Sequence, residues 1–277
     1  MSVFLFKLLP KAMISRLVGR LTLTRFSKLF IDWFVKKYGV NTEEIEYPEK
    51  GFTSFNHFFT RTLKNGVHSI DKEKNCVVSP VDGRIDEFGI ITGTRIMQAK
   101  NLDYLVSDLI PSDCHHLFID GFFITLYLSP ADYHRIHSPI NGKINELIYA
   151  PGKLFPVKEI ITRSISRVFA RNERMISLIE NEFGRCAVCK IGAMNVGRIA
   201  VNFDTIETNR SMFRRGARKV YGNMAPLVHR GDEVARFNMG STVILLFEKD
   251  MFAPAQLRKG DHVRMGQKLG LLHMKEK

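Results

Sequence analysis

Ser241 follows Gly240 and leads through Thr242 into Val243-Ile244-Leu245-Leu246-Phe247, an apolar, β-branched run that reads as a buried strand. Glycine has no side chain, so a nucleophile can approach its carbonyl closely, and the Ser241 hydroxyl is the obvious nucleophile. The same corner is also ordinary turn chemistry, so it gains meaning only if a base and an orienting group exist elsewhere. Two histidines answer in Asp132-Tyr133-His134-Arg135-Ile136-His137, between the apolar run Phe122–Leu128 and an Asn-Gly turn. A carboxylate answers in Asp82, within Ser79-Pro80-Val81-Asp82-Gly83. Asp82, His137 and Ser241 together supply an orienter, a base and a nucleophile. Each also has a bland reading: Asp before Gly is common in turns, and paired histidines are more often structural than catalytic.

These residues must be positioned by short β segments. From Val77 onward the chain alternates β-rich runs with Pro, Gly, Asn and Asp, which predicts a mainly β body. Ser79-Pro-Val-Asp-Gly-Arg-Ile85 is echoed by Ser138-Pro-Ile-Asn-Gly-Lys-Ile144, and the echo is expected to bring Asp82 and His137 to equivalent places. A second echo joins His229-Arg-Gly-Asp-Glu-Val234 to Arg258-Lys-Gly-Asp-His-Val263, turns that resemble those of barrel-sandwich hybrids. The fold class is therefore α+β: a mainly β catalytic body with barrel-sandwich-hybrid-like elements, preceded by amino-terminal amphipathic helices. Residues 1–70 form the helical region and 71–277 the β-rich domain.

Lys+Arg 41 against Asp+Glu 28 gives a formal charge of +13 over 277 residues, which calls for an anionic partner. Nucleic acid and an acidic membrane are the two candidates. The distribution favours the membrane: Lys7, Lys11, Arg16, Arg20, Arg25 and Lys28 interrupt an apolar amino terminus whose one acid in the first forty residues is Asp32. Ile14, Leu17, Val18 and Leu21 share one helical face, as do Leu29, Phe30, Trp33 and Phe34. No run approaches the roughly 20 apolar residues of a spanning helix, and the pattern suits a helix lying in the plane of an anionic bilayer or one packed on the body of the protein. Cys76, Cys114, Cys186 and Cys189 give no dense disulfide framework. Cys186 and Cys189, three apart on an expected strand, point to opposite faces and read as structural rather than metal ligands.

The chain resembles the phosphatidylserine decarboxylase proenzymes of bacterial and mitochondrial type. The matching stretches include Phe55-Asn-His-Phe-Phe-Thr-Arg61, Ser79–Gly83, Leu126–Pro139, Pro151–Phe155, Phe169–Arg174, Val188–Ala193 and Gly240-Ser-Thr242. The pairing of Tyr-His-Arg-x-His-x-Pro with Gly-Ser-Thr carries the resemblance, and Met239 stands where members usually have leucine. The resemblance implies a chain that cuts itself between Gly240 and Ser241 into a β chain (1–240) and an α chain (241–277). His137, oriented by Asp82, would take the Ser241 proton for attack on the Gly240 carbonyl, and Ser241 would become a pyruvoyl group with no metal involved. That ketone would form a Schiff base with phosphatidylserine and accept electrons as carbon dioxide leaves, giving phosphatidylethanolamine. His134, with a near-neutral pKa, would return a proton to the α-carbon. The implied partners are phosphatidylserine in anionic membranes, the two chains of one precursor held together and a second copy in a homodimer, with no nucleic acid. The expected location is peripheral, on the cytoplasmic face of a bacterial inner membrane. Two competing functions are a non-catalytic barrel-sandwich module, which would stay whole, and a zinc peptidase built on His134 and His137.

Overall fold

The computed structural model describes residues 11–193, 198–209, 215–238 and 242–274. Gly240 and Ser241 lie outside them. Helix α1 (Lys11–Thr22), a 3₁₀ turn (Arg25–Phe30) and helix α2 (Ile31–Tyr38) open the chain, and α2 ends on Gly39 in the left-handed region at φ 67°. Helix α3 (Phe55–Phe59) is capped by Ser54, whose hydroxyl accepts from the His57 amide at 3.1 Å. Phe34, Val40, Ile45, Phe55, Phe58 and Phe59 form a small core of their own here.

The strands follow in chain order: β1 (Cys76–Val78), β2 (Gly83–Ile90), β3 (Arg95–Ala99), β4 (Leu102–Leu105), β5 (Phe122–Tyr127), β6 (Arg135–His137), β7 (Gly142–Ala150), β8 (Arg174–Asn181) and β9 (Gly184–Ile191). Then come β10 (Ile199–Val201), β11 (Ala217–Val220), β12 (Leu227–Val228), β13 (Glu233–Phe237), β14 (Thr242–Phe247), β15 (Phe252–Pro254), β16 (His262–Val263) and β17 (Lys268–Leu272). The main sheet runs β11-β7-β8-β9-β14-β5-β2-β16, with β12 also on β7. Smaller sheets run β10-β13-β6 and β1-β17-β15. The body is thus α+β and mainly β.

β14 lies between β5 and β9 and is buried at every position, which explains its unbroken apolar run. Its first residue, Thr242, stands opposite Tyr127, and Tyr127 stands opposite Arg84. The sheet end at which β14 begins is therefore the end at which Asp82 leads into β2 and the Ser129–His134 loop leaves β5.

The first echo is real, and its halves bond to each other. The Val78 amide donates to the Pro139 carbonyl at 3.0 Å, and the His137 amide to the Pro80 carbonyl at 2.8 Å. The Ser79 and Ser138 hydroxyls each donate to the carbonyl two residues on, at 2.7 Å. Under this symmetry the counterpart of Asp82 is Asn141 and that of His137 is Val78, which corrects the expectation that Asp82 and His137 are equivalent. The second echo is also shifted. Ser138 exchanges backbone bonds with the turn at Gly231, while Ser79 exchanges them with Gly266 and Gln267 rather than with Gly260. Gly231 and Gly266 have φ of 90° and 87°, and a Cβ at either would meet Ile70 Cδ1 at 2.8 Å. Ile70 sits between the two turns, so both positions require glycine.

Candidate active site

Asp132 anchors the loop that leaves β5. Its carboxylate accepts the Ser129 amide at 2.6 Å, and its carbonyl accepts His134 Nδ1 at 2.7 Å. Arg61, buried from α3's end, braces the same turn by donating from Nη2 to the Ala131 carbonyl at 2.7 Å and the Asp132 carbonyl at 3.2 Å. The loop then enters β6, which pairs with β13, and the Phe237 amide donates to the His134 carbonyl at 3.0 Å. His134 is thereby fixed to the backbone three residues before Gly240.

His134 is fully buried, its ring 4.2 Å from that of Phe59. Desolvation, aided by the Arg61 charge, lowers its pKa to about 3. The imidazole is therefore neutral, which corrects the expectation of a near-neutral pKa. Because Nδ1 faces a carbonyl, it carries the hydrogen, and Nε2 holds a lone pair. That Nε2 is buried with no partner among the described residues.

His137 is nearly as enclosed, and burial lowers its pKa too. Its Nδ1 donates to the Gly231 carbonyl at 2.7 Å, so Nε2 is again the acceptor, here of the Tyr133 hydroxyl at 3.1 Å. Burial pushes the Tyr133 phenol up, keeping it a donor. Asp82 does not touch His137. Its carboxylate accepts the Met265 amide at 2.8 Å and meets His68 Nε2 at 2.7 Å. The His68 and Tyr133 rings are 5.4 Å apart and the Tyr133 and His137 rings 5.6 Å, so Asp82 is connected to His137 through two intervening rings. The expected direct orientation of His137 by Asp82 is corrected: the Gly231 carbonyl orients the imidazole. The register explains this, because His137 lies opposite Glu233 while Asp82 faces the 264–267 turn.

The structure therefore gathers His134, His137 and Asp82 around the Ser129–His137 loop, while the fourth candidate, Ser241, is outside the described residues. Sequence reasoning missed Tyr133, which stands immediately before His134, and Gly231, which lay in an echoed turn. His68 has no distinguishing signal in its neighbourhood. Polar atoms around this site are open to a guest group: besides His134 Nε2, the Thr242 hydroxyl and Arg61 Nε and Nη1 are buried without partners among the described residues. Among those residues there is no cluster of three or more His, Cys, Asp or Glu suited to a metal. Cys186 and Cys189 are free, buried on β9, and their thiols are pushed up by burial.

Comparison with known proteins extends over nearly the whole chain. A family model described as phosphatidylserine decarboxylase matches residues 55–271, and one described as PSD matches residues 1–39. The phosphatidylserine decarboxylase proenzyme of Coxiella burnetii is 42% identical over 254 residues, 89% of each chain. That of Brevibacillus brevis is 38% identical over 265 residues, 94% of each, and that of Myxococcus xanthus 38% over 274 residues, 97% of each.

Proposed function

The chain belongs to the phosphatidylserine decarboxylase family, and we propose that it is a self-processing enzyme converting phosphatidylserine to phosphatidylethanolamine and carbon dioxide at a membrane surface. One observation carries the reading: two neutral imidazoles, His134 on the loop leaving β5 and His137 on the strand β6 that follows it, come from the sheet end where β14 begins. A neutral imidazole can accept the serine proton that self-cleavage must remove, whereas decarboxylation needs a group that hands a proton to the α-carbon.

In the cleavage, His137 accepts the Ser241 hydroxyl proton at Nε2, once the Tyr133 hydroxyl yields that position. The freed oxygen attacks the Gly240 carbonyl, and the peptide C–N bond gives way to an ester. Loss of the Ser241 α-proton then expels the Gly240 carboxylate, and water replaces nitrogen, which leaves as ammonia. Asp82, backing His68 and Tyr133, supports positive charge on His137 through space. In the decarboxylation, the pyruvoyl group supplies an electron-accepting carbonyl. The unpartnered Thr242 hydroxyl and the open Arg61 nitrogens would hold it. His134 holds a proton at Nε2 in transit and delivers it to the product's α-carbon, while Phe59 excludes water from the ring.

The amino-terminal helices supply the membrane contact in this reading. Leu17, Leu21, Leu23, Phe26, Leu29, Phe30 and Trp33 are 54–82% exposed, with Arg20, Arg25 and Lys28 among them. Such a surface suits an amphipathic insertion into an anionic leaflet. Among the described residues no helix is long and apolar enough to cross a membrane. The turns at Gly231 and Gly266 act as the paired corners of a barrel-sandwich-like body.

The test is the intact mass of the denatured protein beside its native size. β14 pairs with β5 and β9, β16 with β2, and β17 with β1. The expected result is two masses meeting at Gly240/Ser241, the smaller blocked by a carbonyl, that co-elute until denatured. A single uncut chain that releases no carbon dioxide from phosphatidylserine vesicles refutes the proposal.

A further inference from the structure

The three-stranded sheet β10-β13-β6 carries arginines on one face that the chemistry above leaves unused. Arg236 on β13 stands opposite Ala200 on β10 and Arg135 on β6. Directly opposed residues share a face, and the Ala200 methyl leaves the space above it open. Arg135 is fully engaged, donating to the Thr60 carbonyl from Nε and Nη2 at 3.0 and 2.9 Å and to Glu233 at 2.7 Å. Arg236 is exposed and has no hydrogen-bond or ion-pair partner among the described residues. Arg198, just before β10, meets Glu207 at 3.4 Å, and its carbonyl accepts the Asn238 amide at 2.9 Å.

Arg20 of α1 faces these two across a cleft of about 490 Å³ that Asn56 and Asn238 also line. Three guanidiniums against the single carboxylate of Glu207 make it an anion cleft. Asn238, in one wall, precedes Gly240 by two residues in the sequence. The other wall, at Thr22, is shared with an apolar groove of about 400 Å³ walled by Leu21, Phe26, Phe30 and Trp33. A cationic cleft joined to an apolar groove fits one amphiphile, with an anionic head in the first and an acyl chain in the second.

The geometry points to Arg236, with Arg198 and Arg20, as the site that grips the phosphodiester of the lipid substrate. This rests on the decarboxylase reading and adds the residues that recognise the phosphate. Arg236 does so as a binding residue, through charge-assisted hydrogen bonds to the diester oxygens.

The experiment titrates purified full-length protein by calorimetry with two soluble probes, sn-glycero-3-phosphoglycerol, a diester without an amine, and inorganic phosphate. In parallel, carbon dioxide release is measured from phosphatidylserine in uncharged detergent micelles. Arg236→Gln is expected to weaken diester binding and raise KM by about 10-fold or more, with a smaller change in kcat. Arg198→Gln should act in the same direction. Arg95→Gln, which removes an equal charge from the distant β3–β4 hairpin, should leave both unchanged. If carbon dioxide is released but Arg236→Gln matches the unsubstituted protein in diester binding and KM, the proposal is overturned. Inorganic phosphate binding as tightly as the diester would also overturn it, making the cleft a free-phosphate site. If no carbon dioxide appears from any form yet Arg236→Gln still loses diester binding, the decarboxylase reading fails and the phosphodiester site stands.

Discussion

Asp82→Asn separates the carboxylate's two duties, because the fold contains its own control. Asn141, the symmetry counterpart, accepts the Arg230 amide at 2.8 Å in the way Asp82 accepts the Met265 amide at 2.8 Å. An asparagine therefore suffices for the turn, and Asp82→Asn should fold. What it loses is charge on the bond to His68, where the His68 and Asp82 side chains are 6% and 17% exposed. Replacing a charge-assisted hydrogen bond with a neutral one costs about 1 kcal/mol, or about 2–4 °C in Tm for a domain near this size. The effect on cleavage follows from separation. Two ring-to-ring steps of 5.4 and 5.6 Å lie between Asp82's partner and His137. At roughly 10 Å and an effective dielectric of about 20, a carboxylate stabilises a developing imidazolium by at most about 2 kcal/mol, which is roughly 10- to 30-fold in rate. A direct contact near 4 Å would give about 4 kcal/mol, nearly a thousandfold. The assay follows the two-chain masses over time after synthesis, with a thermal melt as the folding check. Cleavage slowed by roughly 10-fold in a folded variant is the expected result. A folded variant that stays uncut a thousand times longer would refute the relayed arrangement, and unchanged cleavage would remove Asp82 from the reaction.

Two further outcomes are tied to the imidazoles. The Tyr133 hydroxyl donates to the neutral form of His137 and so opposes its protonation. Tyr133→Phe should raise the His137 pKa and, since the base works unprotonated, move the acid limb of the cleavage rate to higher pH by up to about one unit; a limb that stays in place or moves to lower pH would show that Tyr133 does not hold the base. For His134, the folded pKa of about 3 lies below the unfolded 6.5, so between those values the unfolded chain binds the extra proton. Its contribution to stability is complete above pH 6.5 and falls by about 1.4 kcal/mol for each unit below, reaching about 2 kcal/mol at pH 5. His134→Gln should flatten the acid side of the stability profile by that slope in urea titrations, and an unaltered slope would mean that His134 is solvated and charged.

The strand order around the site was partly legible because burial leaves a mark on composition. Val243–Phe247 and Phe122–Tyr127 are near-continuous apolar runs, and they are neighbours in the middle of the main sheet. Turn chemistry was legible in kind but not in pairing. Gly231, Gly260 and Gly266 all sit in Gly-polar turns with positive φ, and what distinguishes their partners is a contact with Ser138 or Ser79 that no local pattern encodes. In the amino-terminal stretch the two apolar faces were legible but not their junction: α1 and α2 are joined by a 3₁₀ turn, where the Ser27 hydroxyl bonds the Thr22 and Thr24 carbonyls and accepts the Phe55 amide at 2.9 Å.

At the site, residue type was legible and partnership was not. A serine, two histidines and an aspartate suggest a relay, and the sequence offers no reason to insert rings between them. The structure inserts two, His68 and Tyr133, because the symmetry that makes the echo also assigns each loop to its own turn. Asp82 is held by the turn that Ser79 holds, and His137 by the one that Ser138 holds. The imidazole pKa values have the same origin. The His134 ring sits against Phe59 of α3 and the His137 ring, at the end of β6, against the Gly231 turn, and desolvation is the largest influence on both. A pair of histidines that would each titrate near neutrality in water thus become two lone-pair acceptors, one capped by a phenol and one without a partner among the described residues. In the proposed reactions the open one would handle substrate protons and the capped one would first be released, so the two steps would draw on different imidazoles.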